Sequence, residues 1–293
     1  MQTHMKRPEA KFFHYVLPAM ASQLLTGFFI IVDGFYIGQS IGDVGLASIN
    51  LLWPIASLIT AIGLGVGTGG SVVMANALGA HDEARALRVR GTTLICLALA
   101  SAVLTLGLSF GYPYALRALG ASGELWQPSV DYLRLVCLFC TAQVFNSGLN
   151  PLLRGAGKNV AAMLVMVEGL LLNLFLDWLL IMRFPFGMAG AAAATLIAQA
   201  ASTLTALCCM ACGKKLPLRP AQLSFDTAAV KKLLKVGLSP FGLSMSLNFL
   251  IMLNNWQCIR YGGASAVAPY CPLTAGWPPM PFSAMCWAAC SPF

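Results

Sequence analysis

Seven apolar runs divide this chain, at roughly 12–37, 46–75, 91–112, 129–149, 161–182, 187–211 and 237–259, and an eighth begins near Ala264. Each is bounded by Gly, Pro or charge. About 20 apolar residues in a helix cross the ~30 Å hydrocarbon core of a bilayer. Within that core every backbone polar group must be satisfied internally, which leaves the α-helix as the fold of each run. Composition agrees: 58% of residues are hydrophobic and 10% charged, against about 25% charged in a soluble domain. The expected class is an all-α membrane protein. The first run is not a cleavable signal, because it far exceeds the usual apolar stretch of about 7–15 residues and continues past any small-residue site.

The net charge of +8 would suggest an acidic partner in a soluble chain, but its placement points elsewhere. With the N-terminus inside, the cytoplasmic segments hold Lys6, Arg7, Lys11, Arg85, Arg88, Arg90, Arg154, Lys158, Lys214, Lys215, Arg219, Lys231, Lys232 and Lys235. The outer loops hold Arg117, Arg183 and Arg260, and Arg134 lies within the fourth run. Fourteen against three orients the chain by the positive-inside rule, so no nucleic-acid partner is expected. The ten Cys lie mostly in apolar segments. Cys137 and Cys140 form a CxxC and Cys208, Cys209 and Cys212 cluster, but no His or second pair stands at zinc-site spacing. They read as small helix-packing residues.

Carboxylates inside these runs carry the functional signal. Asp33 lies within the first, and a charged side chain at the centre of a span costs roughly 2.5–3.5 kcal/mol on insertion scales. Such groups therefore usually face a polar cavity and mark an ion or proton path; the plainer alternative is a packing Asp neutralised by a neighbouring Asn or Ser. Pro18, earlier in the same run, removes a helix hydrogen bond and is expected to bend it. The fifth run carries Glu168, Asn173 and Asp177. Asn173 and Asp177, four apart, share a helix face; Glu168 and Asp177, nine apart, point to nearly opposite sides. Glu168, nearer the cytoplasmic end, suits an interfacial role or a second site. At ~1.5 Å of rise per residue, Asp33, Asp177 and Thr195 of the sixth run all fall roughly 8–12 Å below the outer surface, with Asn173 a turn deeper. Hard oxygen ligands at one level, or two acids of which one has a raised pKa, are what a small-cation site or proton relay requires. Interhelical hydrogen-bond glue is the alternative.

The second run contains GLGVGTGG, Gly63 to Gly70, which lets neighbouring helix backbones approach closely. A phosphate loop is excluded by the lack of a preceding strand and a following GK[ST]. ALGAHDEARALRVR after it reads as a short charged loop, with His81 solvated. Arg134 either pairs with a buried acid or snorkels to an interface. Between the sixth and seventh runs lies the basic segment CGKKLPLRPAQLSFDTAAVKKLLKVG, in which DTAAVKKLLK reads as a short helix capped by Asp226 and lying on the anionic inner leaflet. Beyond it, placing Pro240 on Pro18 aligns LLKVGLSPFGLSMSLNFLIMLNNWQCIRYGG with KFFHYVLPAMASQLLTGFFIIVDGFYIGQSIG, and Asn255 falls on Asp33. Both copies start inside, so a parallel repeat about an axis along the membrane normal is expected. From Pro269 the text turns Pro-rich and suggests an aberrant or frameshifted end. The expected organisation is a six-helix lobe over 1–212, a basic loop over 213–236, the first one to two helices of a second, repeated lobe over 237–268, and an aberrant tail over 269–293.

These motifs together resemble the multidrug and toxic compound extrusion (MATE) family: VDGFYIGQSIGDVGLASINLLWPI, GLGVGTGGSVVMANALGA, PLLRGAGK, NLFLD, GMAGAAAATLIAQ and the restart KVGLSPFGLSMSLNFL. The resemblance covers about residues 10 to 268 and implies two six-helix lobes around a central cavity, exporting cationic or amphipathic small molecules in exchange for Na⁺ or H⁺. It implies a multi-pass protein of a bacterial inner membrane, N-terminus inside, no cofactor beyond the coupling ion, no enzyme activity, and a monomer when full length. Its cation or proton site maps onto Asp33, Asn173, Asp177 and Thr195, a metal site only if the ion is Na⁺, and its first-helix bend onto Pro18. Most of the second lobe is missing from this pattern, so a truncated, non-transporting product is an alternative. Two other rivals are a lipid-linked saccharide flippase, which calls for several cavity Arg where Arg134 is the lone candidate, and an intramembrane aspartyl protease, for which no GxGD is present.

Overall fold

A computed structural model describes residues 43–120, 123–184, 186–211 and 226–262, together with Met20, Leu24 and Tyr36. Pro18, Asp33, most of the basic loop and the Pro-rich tail lie outside the described residues. The helices are α1 (Asp43–Gly79), α2 (Glu83–Ala118), α3 (Trp126–Leu138), α4 (Cys140–Gly155), α5 (Asn159–Asp177), α6 (Gly187–Ala211) and α7 (Thr227–Gly262), with a 3₁₀ turn at Gly123–Leu125 and a π-helical turn at Trp178–Arg183. Five are long and apolar enough to cross a membrane, and α3 with α4 makes a sixth if that pair, bent by 61°, is one span. The second to seventh apolar runs thus each correspond to helix. Leu99, Val103, Leu106 and Phe110 of α2 are exposed apolar side chains, as a lipid-facing surface requires.

α1 sits at the centre, packed against α2, α4 and α7. The glycine run explains how one helix serves three neighbours. A Cβ at Gly63 or Gly67, four apart, would strike the backbone of α4 at Val144 or Gly148. At Gly65 or Gly69, also four apart, it would strike α7 at Gly237 or Leu233, and at Gly70 the Thr93 side chain of α2. Since residues four apart share a face, the stripes are two separate contact faces. Ser57 adds a hydroxyl donated to Asn248 Oδ1 of α7. Around these contacts Leu52, Ile59, Leu97, Leu133 and Val144 form a buried cluster, and Met74, Leu149, Leu152 and Leu153 a second one.

Three boundaries differ from expectation. The segment read as a charged loop after α1 is mostly helix: Asp82 Oδ1 accepts from Arg85 N at 2.9 Å and caps α2, leaving Ala80–Asp82 as the turn, with His81 at φ 58°. Arg90 is consequently only 4% exposed, inside α2. The fourth run is broken at Phe139, whose φ of −103° and ψ of 12° leave the helical region, with Cys137 and Cys140 buried as free thiols on either side. The short helix capped by Asp226 is the start of α7: Asp226 Oδ1 accepts from Ala228 N and Ala229 N, and no break follows before Gly262. Pro240 lies inside that helix.

Candidate functional site

α5 and α6 pack along each other and carry three of the four expected site residues. Asn173 is 3% exposed and Asp177, one turn later, is fully buried. Asn173 Nδ2 donates to Thr195 Oγ1 on α6 at a long 3.4 Å, and Thr195 Oγ1 donates to Ala191 O at 3.2 Å. Asn173 Oδ1 is buried with no donor among the described residues. Asp177 is the last residue of α5 before the π-helical turn, a type of irregularity that frequently marks functional sites. Asp33 and Pro18 lie outside the described residues, but Tyr36, three residues after Asp33, packs against Ile181 of the π-helical turn and Ala191 of α6.

Beneath this cluster a cavity of about 580 Å³ opens between α1, α4, α5 and α6, within the range of about 300–1,000 Å³ typical of small-molecule sites. Its lining is a set of helix stripes: Met166, Gly169, Leu170 and Asn173 on α5; Thr195, Ala198, Gln199 and Ser202 on α6; Asn146, Ser147, Asn150, Pro151 and Arg154 on α4; Thr60 and Leu64 on α1. The α5 and α6 sets both follow i, i+3, i+4, i+7, one helix face. Asn173 and Thr195 belong to the wall, whereas Asp177 lies beyond the lining. Sequence reasoning named Asn173 and Thr195 but missed Asn146, Ser147, Asn150, Gln199 and Ser202, although on α6 the helical periodicity was available to find them.

The remaining charged residues resolve separately. Glu168 turns to α6, where Oε1 accepts from Thr205 Oγ1 at 2.9 Å, so it braces two helices apart from the Asn173 cluster. Lys158 Nζ donates to Cys209 O near the end of α6 at 2.6 Å. Arg134 is exposed, its guanidinium carbon 6.0 Å from the Tyr112 ring centroid. The arginine on the cavity wall is Arg154. Sequence reasoning placed Arg154 only as a loop charge, because it did not see α4 extending to Gly155.

The MatE family profile matches residues 18–179, more than half of the chain. The chain belongs to the MatE family. MatE relatives include the multidrug export protein MepA of Staphylococcus aureus (strain MRSA252), 25% identical over 259 residues, covering 88% of this chain and 57% of that protein. The probable multidrug resistance protein YoeA of Bacillus subtilis (strain 168) is 25% identical over 265 residues, covering 87% and 57%. The chain therefore spans a little over half the length of the curated relatives it matches. Among solved structures, an inward-facing multidrug resistance MATE family transporter superposes with a TM-score of 0.79 at 28% identity, covering 85% of this chain and 56% of that one. An outward-facing one superposes with a TM-score of 0.79 at 26% identity, covering 89% and 61%.

Proposed function

We propose that this MatE chain forms the ion-coupling lobe of a secondary antiporter that exports small amphipathic molecules across a bacterial cell membrane, N-terminus inside, in exchange for an inward-moving Na⁺ or H⁺. The observation that carries the proposal is the Asn173–Thr195 hydrogen bond at the top of the cavity, with fully buried Asp177 one turn above it. A buried carboxylate beside a polar cleft takes up a cation or a proton because either lowers the cost of holding negative charge in low dielectric. In this mechanism Asp33 completes the cluster from the first helix, a reading supported by Tyr36 packing against Ile181 of the π-helical turn and Ala191 of α6. Neutralising Asp33 and Asp177 lets the first helix bend at Pro18, contracts the cavity and releases cargo outward. The relatives named for multidrug export support drug-like cargo. Among the described residues Arg154 alone supplies a wall arginine, which gives less support to a saccharide-phosphate flippase, a function that calls for several.

The test is drug-dependent cation or proton flux in proteoliposomes holding either this chain or a fusion that supplies a second lobe. Flux in the fusion that disappears in its Asp177→Asn variant is the expected result. Unchanged flux in that variant removes the coupling role.

A further inference from the structure

The cavity that the proposed function treats as the cargo path has a polarity of its own. No acidic side chain is part of its wall as described, and Arg154 is the one charged group there. Arg154 Nε donates to Asn150 Oδ1 at 3.0 Å, and Asn150 is itself fixed by donating Nδ2 to Ala162 O at 3.1 Å. The guanidinium is thus held by one edge through a relay anchored on the α5 backbone. Its two terminal nitrogens have no acceptor among the described residues. A planar pair of N–H donors held in this way matches the two oxygens of a carboxylate or related acid group. Further out, Asn173 Oδ1 and Gln199 Oε1 are buried on the same wall without donors, so that end calls for a hydrogen-bond donor. Asn146 and Arg154 bound the α4 stripe eight residues apart, roughly 12 Å of helix rise, while Leu64, Met166 and Leu170 supply apolar wall between.

We infer that this cavity binds amphipathic molecules bearing an acid group, with the acid seated on Arg154, the apolar body along Leu64, Met166 and Leu170, and a hydrogen-bond donor toward Asn173. The inference rests on the cavity being the cargo site, and it narrows the cargo from small amphipathic molecules in general to those bearing an acid group, zwitterions included. A charge-assisted pair to a fixed guanidinium is worth roughly tenfold or more in affinity.

The test is equilibrium binding of two fluorescent probes, dansylglycine and its uncharged carboxamide, to the full chain in phosphatidylcholine nanodiscs, with protein-free nanodiscs as blank. The wild type is expected to bind the acid at least about tenfold more tightly than the amide. R154Q is expected to bring the two within about twofold, and R154K, which keeps the charge, to retain a several-fold preference. Equal binding of both probes by the wild type, a preference that survives in R154Q, or equal losses in R154K and R154Q would each overturn the acid subsite. Because binding is read without transport, such a failure leaves the antiporter proposal to its own flux test.

Discussion

Replacing Gly67 by Ala tests whether close backbone contact holds α1 in place. The added Cβ would lie 2.5 Å from Gly148 Cα and 2.7 Å from its carbonyl carbon, whereas carbons at rest sit about 3.5–4.0 Å apart. The shortfall is about 1 Å, and the obstruction is main chain, so no side-chain rotation relieves it. Nor can α1 simply retreat, because Gly65 and Gly69 seat it against α7. Overpacking of this kind costs about 1–3 kcal/mol, offset in part by about 0.5–1 kcal/mol gained when Gly becomes Ala in a helix. A net loss of about 1–2 kcal/mol lowers the melting temperature by roughly 2–8 °C for a chain of this size. Buried Cys137 and Cys140 provide the readout, since a thiol-reactive fluorophore labels them as the helices part. Gly107→Ala is the control: its Cβ meets nothing within 4 Å, and it is expected to melt at or slightly above the wild-type temperature. A Gly67→Ala protein that melts with the Gly107→Ala control would refute the close-packing explanation.

Other outcomes follow from single contacts. A double-mutant cycle with Ser57→Ala and Asn248→Leu is expected to give a coupling of about 0.5–1.5 kcal/mol in thermal melts, the usual range for an interhelical bond in a membrane; additive effects would show that the bond contributes nothing. Asp226→Ala removes the cap that accepts from Ala228 and Ala229 and is expected to cost about 0.5–2 kcal/mol, seen as faster hydrogen exchange confined to the first turn of α7. Glu168→Gln keeps an acceptor for Thr205 and is expected to leave the melting temperature within about 2 °C of wild type, whereas Glu168→Leu removes the acceptor of a half-buried hydroxyl and lowers it further, by about 0.5–1.5 kcal/mol, the usual net worth of one hydrogen bond.

The spans were legible because their signal is cumulative: each apolar run accumulates enough residues to point to helix and membrane together. The glycine run was legible for a similar reason, since repeated small residues have few other uses in a span. Boundaries were less so. The Asp82 cap turns a charged stretch into the first turns of α2, and the charges drew attention where the cap decided the outcome. Depth put Thr195 level with Asp177 and Asn173 a turn below, whereas the hydrogen bond joins Thr195 to Asn173; a helix converts sequence number into height only to within about a turn. Arg154 was missed because a charge next to Gly-Ala-Gly reads as loop, and only the packing of α4, α5 and α6 turns it toward a shared space. The stripe Thr195, Ala198, Gln199, Ser202 was hidden by small residues that score as apolar padding.

The unbroken course of α7 gives it the character of a lever. Thirty-six residues make a rod of about 54 Å at 1.5 Å per residue, and one close crossing with α1, at Gly237, lies about 15 Å from its N-terminal end and about 38 Å from its C-terminal end. A tilt about that fulcrum would displace the C-terminal tip roughly two and a half times as far as the N-terminal one. Pro240, one turn past the crossing, deletes a main-chain bond there, so any bend of α7 falls beside its close contact with α1.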